Sequence, residues 1–254
     1  MALGGANKTM KLTVLGKYGP FPAPLGACSG YLLESEGISL VLDFGSGTLS
    51  RLLQLKPTLD ISAVLLSHLH SDHISDMFIL RYALQQLEAR GMRSSPIVSV
   101  AMPNDPSMEF SALSASGVYD IQQVHDGTRL RFGDMLISFH RGTHPVPSYS
   151  IDITHLGKRF VYTGDTGYRE ELVDLCKDAD MLLADTGYLN ADKVSRVAAH
   201  LTTGEVGKLA RDANVKRLIC THIWPGYTDE QVLLEVRANF PAAEIAQEGA
   251  VYEV

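Results

Sequence analysis

Three histidines and an aspartate lie close together near the start of the chain. His68, His70, Asp72 and His73 follow directly after the apolar run 63–66. Neutral imidazoles donate nitrogen lone pairs to borderline-soft divalent ions, and a carboxylate adds a hard oxygen. A polar loop that happens to be rich in histidine is the plain alternative for one such residue, but four donors at this spacing favour a ligand cluster. The sequence therefore predicts a divalent metal centre in the loop after this apolar run.

Four further polar sites occur at the ends of predicted strands. They contain His144, Asp165, His200 and His222. Loops at strand ends are where a rigid scaffold displays its chemistry. His144, Asp165 and His222 complete two metal sites when they are added to the first cluster, provided that all these strands end on the same edge of the fold.

The elements that must position these residues alternate along the chain. Apolar or alternating runs predict strands at 11–15, 31–34, 38–43, 63–66, 97–100, 135–139, 149–153, 160–162, 181–183 and 218–220. Helical spacing predicts helices at 45–55, 77–91, 109–116, 170–176, 203–212 and 229–238. Strands in both halves with helices between them predict an α/β fold, in which two sheets pack face to face with the helices outside.

Length and composition limit the class of protein. The chain has 254 residues, of which 45% are hydrophobic and 20% charged, enough for one large domain with a full core. We expect residues 1–10 to be an N-terminal extension and residues 11–254 to be a single domain. No apolar stretch reaches the length of a membrane span, and no signal peptide is recognised. Three cysteines that are far apart fit a reducing compartment, so we expect a cytoplasmic protein without a membrane partner.

The net charge bears on the choice of partner. A formal charge of −7 argues against a nucleic-acid groove, because polyanions are bound by basic faces. It permits a small phosphate substrate, since metal ions supply local positive charge.

These motifs resemble those of the metallo-β-lactamase fold and, within it, of the ribonuclease Z-like branch. The signposts of the fold are the cluster at 67–73, His144 in His-Pro-Val-Pro-Ser-Tyr, Asp165 in Tyr-Thr-Gly-Asp-Thr, and His222 after the last apolar strand. Asp185 in Leu-Ala-Asp-Thr resembles the acidic-Ala-Thr motif of the branch, and His200-Leu-Thr resembles its His-x-Thr motif. The resemblance runs in order from residue 11 to the C-terminus and implies an αβ/βα four-layer sandwich of two mixed sheets.

The resemblance also implies roles for the site residues. His68, His70 and His144 would hold a first ion, Asp72, His73 and His222 a second, and Asp165 would bridge them. Histidine rather than glutamate at position 70 separates the chain from the oxygen-reducing di-iron relatives, so we expect two zinc ions, with manganese as the alternative.

Two residues outside the ligand set are expected to serve the transfer of a proton, one as its donor and one by positioning that donor. His200 would protonate the leaving group as a general acid, and Asp185 would orient it and favour its charged form. The plain alternative for His200 is a helix N-terminal residue, but Thr202 and Thr203 can do that capping. Asp72 is counted among the catalytic residues as well as among the ligands.

Three remaining predictions are structural. Asp43 is expected to support the metal loop without binding an ion. The turn residue His155 is expected on the surface. The loop 17–28 is expected either to shape the pocket or to reach a partner subunit, with a surface loop that contacts no ligand as the alternative.

The sequence departs from the RNA-processing members of the branch in two places, and these differences limit the range of expected substrates. Only a short hairpin at 150–161 stands where those enzymes carry a long basic arm, and the loop 19–30 has no basic residue. The chain instead resembles compact bacterial and phage enzymes that hydrolyse cyclic nucleotides, including those that degrade cyclic CMP and cyclic UMP to blunt Pycsar antiphage signalling. The resemblance implies a homodimer that hydrolyses 3′,5′-cyclic mononucleotides to nucleoside 5′-monophosphates, by attack of a hydroxide shared between the metals.

Three alternatives stay open at this point. They are a tRNA 3′ endonuclease, a lactonase or thioesterase that uses the same metals, and a protein that sequesters a nucleotide without catalysis. The base of the nucleotide and the native metal are also open.

Overall fold

The computed structural model describes residues 9–193 and 199–254, so most of the predicted N-terminal extension lies outside the described residues. Within these ranges the strands are β1 Lys11–Gly16, β2 Gly30–Ser35, β3 Ile38–Phe44, β4 Ala63–Leu65, β5 Val98–Pro103, β6 Tyr119–Val124, β7 Arg129–Phe132, β8 Met135–Arg141, β9 Tyr149–His155, β10 Lys158–Tyr162, β11 Met181–Asp185, β12 Leu218–Thr221, β13 Glu244–Ile245 and β14 Val251–Glu253. The helices are α1 Thr48–Leu55, α2 Ser71–Ile74, α3 Met77–Ala89, α4 Met108–Ser114, α5 Glu171–Cys176, α6 Thr203–Asp212 and α7 Asp229–Val236, with a 3-10 turn at Asn190–Asp192.

The strands form two seven-stranded mixed sheets. Their orders are β14-β1-β2-β3-β4-β5-β6 and β13-β12-β11-β10-β9-β8-β7. The inner faces pack against each other through a core that includes Leu42 and Leu65 from the first sheet and Ile151 and Phe160 from the second. The outer face of the first sheet packs on α1 and α3, and that of the second on α5, α6 and α7. The predicted αβ/βα four-layer sandwich is therefore confirmed.

The direction of the strands brings the loops with the predicted metal donors to one edge of the sandwich. In the first sheet β3, β4, β5 and β6 run parallel, and in the second β10, β11, β12 and β13 run parallel. Parallel neighbours end on the same side of a sheet, so the loops after β10, β11 and β12 share an edge of the second sheet. Donor atoms of His68, in the loop after β4, and of Asp165, in the loop after β10, lie within 4.8 Å of each other, so β4 ends at that same edge. This is the condition under which the sequence predicted two metal sites.

Four strands were missed by the sequence analysis. β6 and β7 are the edge strands of the two sheets and carry several exposed side chains, so their apolar signal is weak. β13 and β14 are only two and three residues long. The strand predicted at 97–100 begins and ends later, at Val98–Pro103. Short edge strands lack the wholly apolar pattern that marks strands covered on both faces.

The prediction that His155 lies on the surface was wrong. The residue is 2% exposed, because it shares the inward face of β9 with Tyr149, Ile151 and Ile153 at the two-residue period of a strand. Its Nε2 atom lies 3.6 Å from the carboxylate of Glu36. The turn Leu156-Gly157 that follows is the predicted hairpin connection.

Among the described residues, no helix has the length and apolar character that crossing a bilayer requires.

Candidate metal centre

The first set of donors comes from three separate loops. His68 and His70 follow β4, His144 follows β8, and Asp165 follows β10. The nearest donor atoms of these four residues lie within 4.8 Å of one another. His70 Nδ1 is 3.0 Å from His68 Nε2 and 3.0 Å from His144 Nε2. The predicted ligands of the first ion are therefore brought together.

In two of these imidazole rings, a hydrogen bond at Nδ1 determines that the other nitrogen, Nε2, carries the lone pair. His144 Nδ1 lies 3.0 Å from the carbonyl oxygen of Ala199, which only accepts, so Nδ1 carries the proton. Ser67 Oγ donates to Asp43 at 2.8 Å and accepts from His68 Nδ1 at 3.1 Å. The Nε2 atoms of His68 and His144 consequently present lone pairs towards His70 Nδ1, which carries at most one proton for the two acceptors, whereas a cation between the three nitrogens would bind all of them.

The second set contains Asp72, His73, Asp165 and His222. Asp165 Oδ2 is 3.3 Å from Nε2 of His73 and 3.3 Å from Nε2 of His222. Asp72 Oδ2 is 3.2 Å from His222 Nε2 and 3.5 Å from His73 Nε2. The same Asp165 oxygen is 3.6 Å from His68 Nε2 in the first set. Asp165 thus stands between the two sets, as a bridging ligand would.

These residues fit divalent metal ions. His73 Nδ1 bonds to Asp43 at 2.7 Å, while its Nε2 is buried without a hydrogen-bond partner. Asp165 Oδ1 is also buried without a partner. Orphaned buried polar atoms are rare and call for an explanation. Nitrogen and oxygen donors that converge on one point are the ligand set of zinc and of similar ions.

Burial and neighbouring carboxylates set the charge of the ligand imidazoles. Burial lowers the pKa of His68 well below its ordinary value and lowers the pKa of His70 and His144. For His222, burial acts in the same direction, but the charge of Asp165 outweighs it and raises the pKa to about 10. Asp165 likewise raises the pKa of His73 well above its ordinary value, against its burial. The first set therefore offers neutral imidazoles, whereas the imidazoles of the second set hold protons that a metal must displace.

Asp43 supports the centre from beneath, as predicted. Its carboxylate accepts bonds from the amide and hydroxyl of Ser67, from His73 Nδ1 and from the hydroxyl of Tyr162, at 2.7 to 2.8 Å. The residue is fully buried and has a φ of 54°, in the left-handed region. A short polar side chain tolerates this backbone conformation better than most others. Tyr162 is the first residue of the Tyr-Thr-Gly-Asp-Thr motif around Asp165, but the sequence analysis gave it no role.

Asp185 and His200 form the predicted pair beside the second set. His200 Nδ1 lies 3.0 Å from Asp185 Oδ2 and 3.8 Å from Asp165 Oδ2. Burial lowers the pKa of His200, but the charge and hydrogen bond of Asp185 outweigh it, so the pKa is raised. The capping alternative does not apply, because the hydroxyl of Thr202 and the side chain of Glu205 form a capping box at the start of α6. The predicted catalytic residues thus adjoin the predicted ligands.

Asp185 has a second contact that the sequence analysis missed. Its Oδ1 lies 3.5 Å from Nδ1 of the ligand His222, and it accepts the amide of Gly187 at 3.1 Å. Tyr188 was also missed; its ring packs edge-on against His200 with centroids 5.5 Å apart. Neither the Asp185–His222 contact nor the Tyr188–His200 contact joins residues that are neighbours in a motif.

Two glycines allow neighbouring backbone to lie close to the predicted ligands His222 and Asp72. A Cβ on Gly19 would lie 2.0 Å from His222 Nε2, and one on Gly45 would lie 2.0 Å from the carbonyl oxygen of Asp72. Only a residue without a side chain fits at either position. The loop 17–28 therefore touches the candidate centre through Gly19.

Comparisons with known proteins agree with this geometry. Residues 41–223 match the family described as the beta-lactamase superfamily domain. The probable metallo-hydrolase YhfI of Bacillus subtilis is 34% identical over 248 residues, which are 96% of this chain and 100% of YhfI. The crystal structure of YhfI superimposes with a TM-score of 0.89 at 31% identity and covers 97% of this chain and 100% of its own.

The chain is also similar, at lower sequence identity, to a ribonuclease Z and to a diphosphatase. A ribonuclease Z of Methanopyrus kandleri is 23% identical over 284 residues, covering 98% of this chain and 99% of the ribonuclease. The structure of a diphosphatase of the PhnP family has a TM-score of 0.77 at 15% identity, covers 96% of this chain and 97% of its own, and shares the fold.

A four-layer sandwich with histidine and aspartate donors gathered at one edge defines a metal-dependent hydrolase. The chain belongs to the beta-lactamase superfamily, has the metallo-β-lactamase fold, and is related to ribonuclease Z.

Proposed function

We propose that the protein is a phosphodiesterase that uses two metal ions, zinc or manganese, to hydrolyse 3′,5′-cyclic mononucleotides to nucleoside 5′-monophosphates. The observation that carries the proposal is the Asp185–His200 pair. The imidazole of His200 has a raised pKa, and its Nδ1 lies 3.0 Å from Asp185 and 3.8 Å from the shared donor Asp165, which supports a role in protonating an alkoxide leaving group.

The chain's own residues account for the proton transfers. When bound, the ions supply a water of lowered pKa and positive charge for the phosphoryl oxygens. In the proposed reaction the hydroxide part of a water would bond to phosphorus as the bond to the 3′ oxygen breaks, and the proton that this water loses would restore the one that His200 gives up. His200 Nδ1 faces Asp185, so its Nε2–H is the proton that the 3′ alkoxide receives. The product is the nucleoside 5′-monophosphate.

Several features support a small diester over RNA. The segment between β9 and β10 is a tight hairpin, so no arm projects there to grip a tRNA. The net charge of −7 also disfavours a polyanion. Relationship to ribonuclease Z and the shared fold of a diphosphatase support a phosphorus-centred reaction.

An acyl hydrolase, either a lactonase or a thioesterase, is the second candidate. Such enzymes place a tyrosine near the leaving group, and Tyr188 packs against His200. They need no protonated imidazole held by a buried carboxylate, which is why the phosphodiesterase is preferred.

One assay separates these candidates. Protein loaded with zinc or manganese would be incubated with 3′,5′-cyclic mononucleotides, a linear dinucleotide, an acyl lactone, a thioester and pre-tRNA. Hydrolysis of the cyclic nucleotides with the highest kcat/KM supports the proposal, and a preference for the lactone, the thioester or pre-tRNA overturns it. Binding of cyclic nucleotides without turnover would indicate sequestration. Metal analysis should find about two ions per chain.

The homodimer implied by the resemblance stays a prediction. Light scattering that gives a monomer with full activity at micromolar concentration would contradict it.

A further inference from the structure

Two aromatic side chains remain partly exposed beside the second donor set. Phe21 is 48% exposed and Trp224 is 40% exposed, and their rings meet edge to face with centroids 5.1 Å apart. Trp224 stands two residues after the predicted ligand His222. Phe21 stands two residues after Gly19, which packs against the imidazole of His222. The aromatic pair, defined as Phe21 and Trp224, therefore extends from the two segments that meet at His222, a member of the second donor set.

The backbone holds this pair in place. Gly19 donates its amide to the carbonyl of Ile223 at 3.2 Å, and Ile223 donates to the carbonyl of Lys17 at 2.9 Å. Ile223 itself is fully buried in the core of the second sheet. The indole of Trp224 lies over Gly226, where a Cβ would come within 2.6 Å of Nε1. The two rings thus belong to two backbone segments that are hydrogen-bonded to each other next to His222.

We propose that Phe21 and Trp224 form the stacking surface for the base of a nucleotide whose phosphate lies at the metal donors. The inference rests on the proposed function and adds the residues that recognise the base. Every nucleobase has a flat π-face, and stacking on an aromatic side chain tolerates different bases. A half-exposed aromatic pair next to a phosphate-reacting centre meets this requirement, whereas the buried aromatic residues Tyr31 and Tyr162 at the same centre do not.

Kinetics on two substrates test the role of the pair. The first is a 3′,5′-cyclic mononucleotide, and the second is the 3′,5′-cyclic phosphate of methyl riboside, which has no base. Trp224→Ala and Phe21→Ala should each lower the ratio of kcat/KM for the nucleotide to that for the base-free ester by about 5- to 100-fold. Most of the change should appear in KM, since stacking holds the ground state as well as the transition state. Trp224→Phe should recover part of the ratio.

The control is an exposed aromatic residue elsewhere. Tyr82 on α3 is 52% exposed, and Tyr82→Ala should leave the ratio unchanged. An unchanged ratio in both Trp224→Ala and Phe21→Ala overturns the proposal.

A binding measurement keeps the test independent of turnover. Trp224 is the only tryptophan in the chain, so its fluorescence reports on this position alone. Metal-loaded protein would be titrated with AMP, with UMP and with ribose 5-phosphate. Quenching by the nucleotides but not by ribose 5-phosphate, weakened in Phe21→Ala, supports base stacking even if cyclic nucleotides are not hydrolysed. Equal responses to AMP and ribose 5-phosphate, or none, overturn base stacking even if cyclic nucleotides are hydrolysed.

Discussion

The imidazole rings of His200 and His222 lie stacked, with centroids 4.9 Å apart and planes inclined by 15°. The Nδ1 atoms of both rings face the carboxylate of Asp185, at 3.0 Å for His200 and 3.5 Å for His222. One buried carboxylate therefore faces both rings: it is hydrogen-bonded to the predicted proton donor His200 and lies in charge contact, without a hydrogen bond, with the predicted ligand His222.

The first prediction concerns His200→Ala. No predicted ligand is removed, so metal content and fold should persist. Turnover of a cyclic nucleotide should fall by about 10²–10⁴, the usual contribution of a positioned general acid. The loss should be much smaller for a diester with a nitrophenolate leaving group, which departs without protonation. Equal losses on both substrates with metal retained would contradict the leaving-group role.

The second prediction concerns Asp185→Asn. If Asp185 acted only by orienting and charging His200, as the sequence analysis expected, the variant would show a weaker form of the His200→Ala effect. The contact with His222 adds an effect on the second donor set, so the variant should also lower metal content or metal affinity at that set. Metal analysis and kinetics with both leaving groups check this. Retention of two tightly bound ions would show that Asp185 acts through His200 alone.

The third prediction concerns Asp43→Asn in the metal-free protein. Asparagine keeps the shape and tolerates the left-handed backbone, but it removes the negative charge and replaces one accepting oxygen by an NH2 group that cannot accept. Removing one partner of the buried Asp43–His73 pair should lower the free energy of unfolding by about 3–5 kcal/mol. Urea unfolding measures the change. Asp134→Asn, at a side chain that is 86% exposed, is the control and should stay within about 0.5 kcal/mol of the parent protein.

The fourth prediction concerns Gly19→Ala. The new Cβ would lie 2.0 Å from His222 Nε2, so the ring or the loop must move. We expect loss of metal at the second set and loss of activity, with the first set still occupied. Gly142→Ala is the control, because its Cβ would come no nearer than 3.2 Å, to the hydroxyl of Thr166. Full metal content in Gly19→Ala would contradict the close approach.

The fifth prediction concerns pH. In the metal-free protein the pKa of His222 is raised to about 10, so its imidazole is charged at neutral pH and a metal must displace the proton. Metal affinity at the second set should therefore rise with pH up to that value and fall on acidification. The pKa of His68 is lowered, so the first set stays neutral and should depend less on pH.

Calorimetry checks the pH prediction. Zinc titrations at neutral pH, in buffers of different ionisation enthalpy, should show protons released on filling the second set and few on filling the first. Equal proton release at both sets would contradict the assignment of charges.

The sequence by itself determined the donors and the type of fold. His68, His70, Asp72 and His73 are close in the chain, and a strand that ends beside them fixes their neighbourhood without knowledge of distant residues. Apolar periodicity predicted most of the strands and helices, since burial on both faces leaves a strong pattern. Asp43 was also expected beside the centre, and the Asp185–His200 pair was expected because both residues stand in short motifs that resemble those of the branch.

Only the tertiary structure decided how distant segments meet. The contact of Asp185 with His222, the packing of Gly19 against that ring and the meeting of Phe21 with Trp224 join residues that no local pattern connects. The burial of His155 was predicted wrongly for a related reason. A polar residue beside a turn resembles a surface residue in sequence. Contacts across the sandwich depend on which strand ends share an edge, and packing of the two sheets sets that geometry.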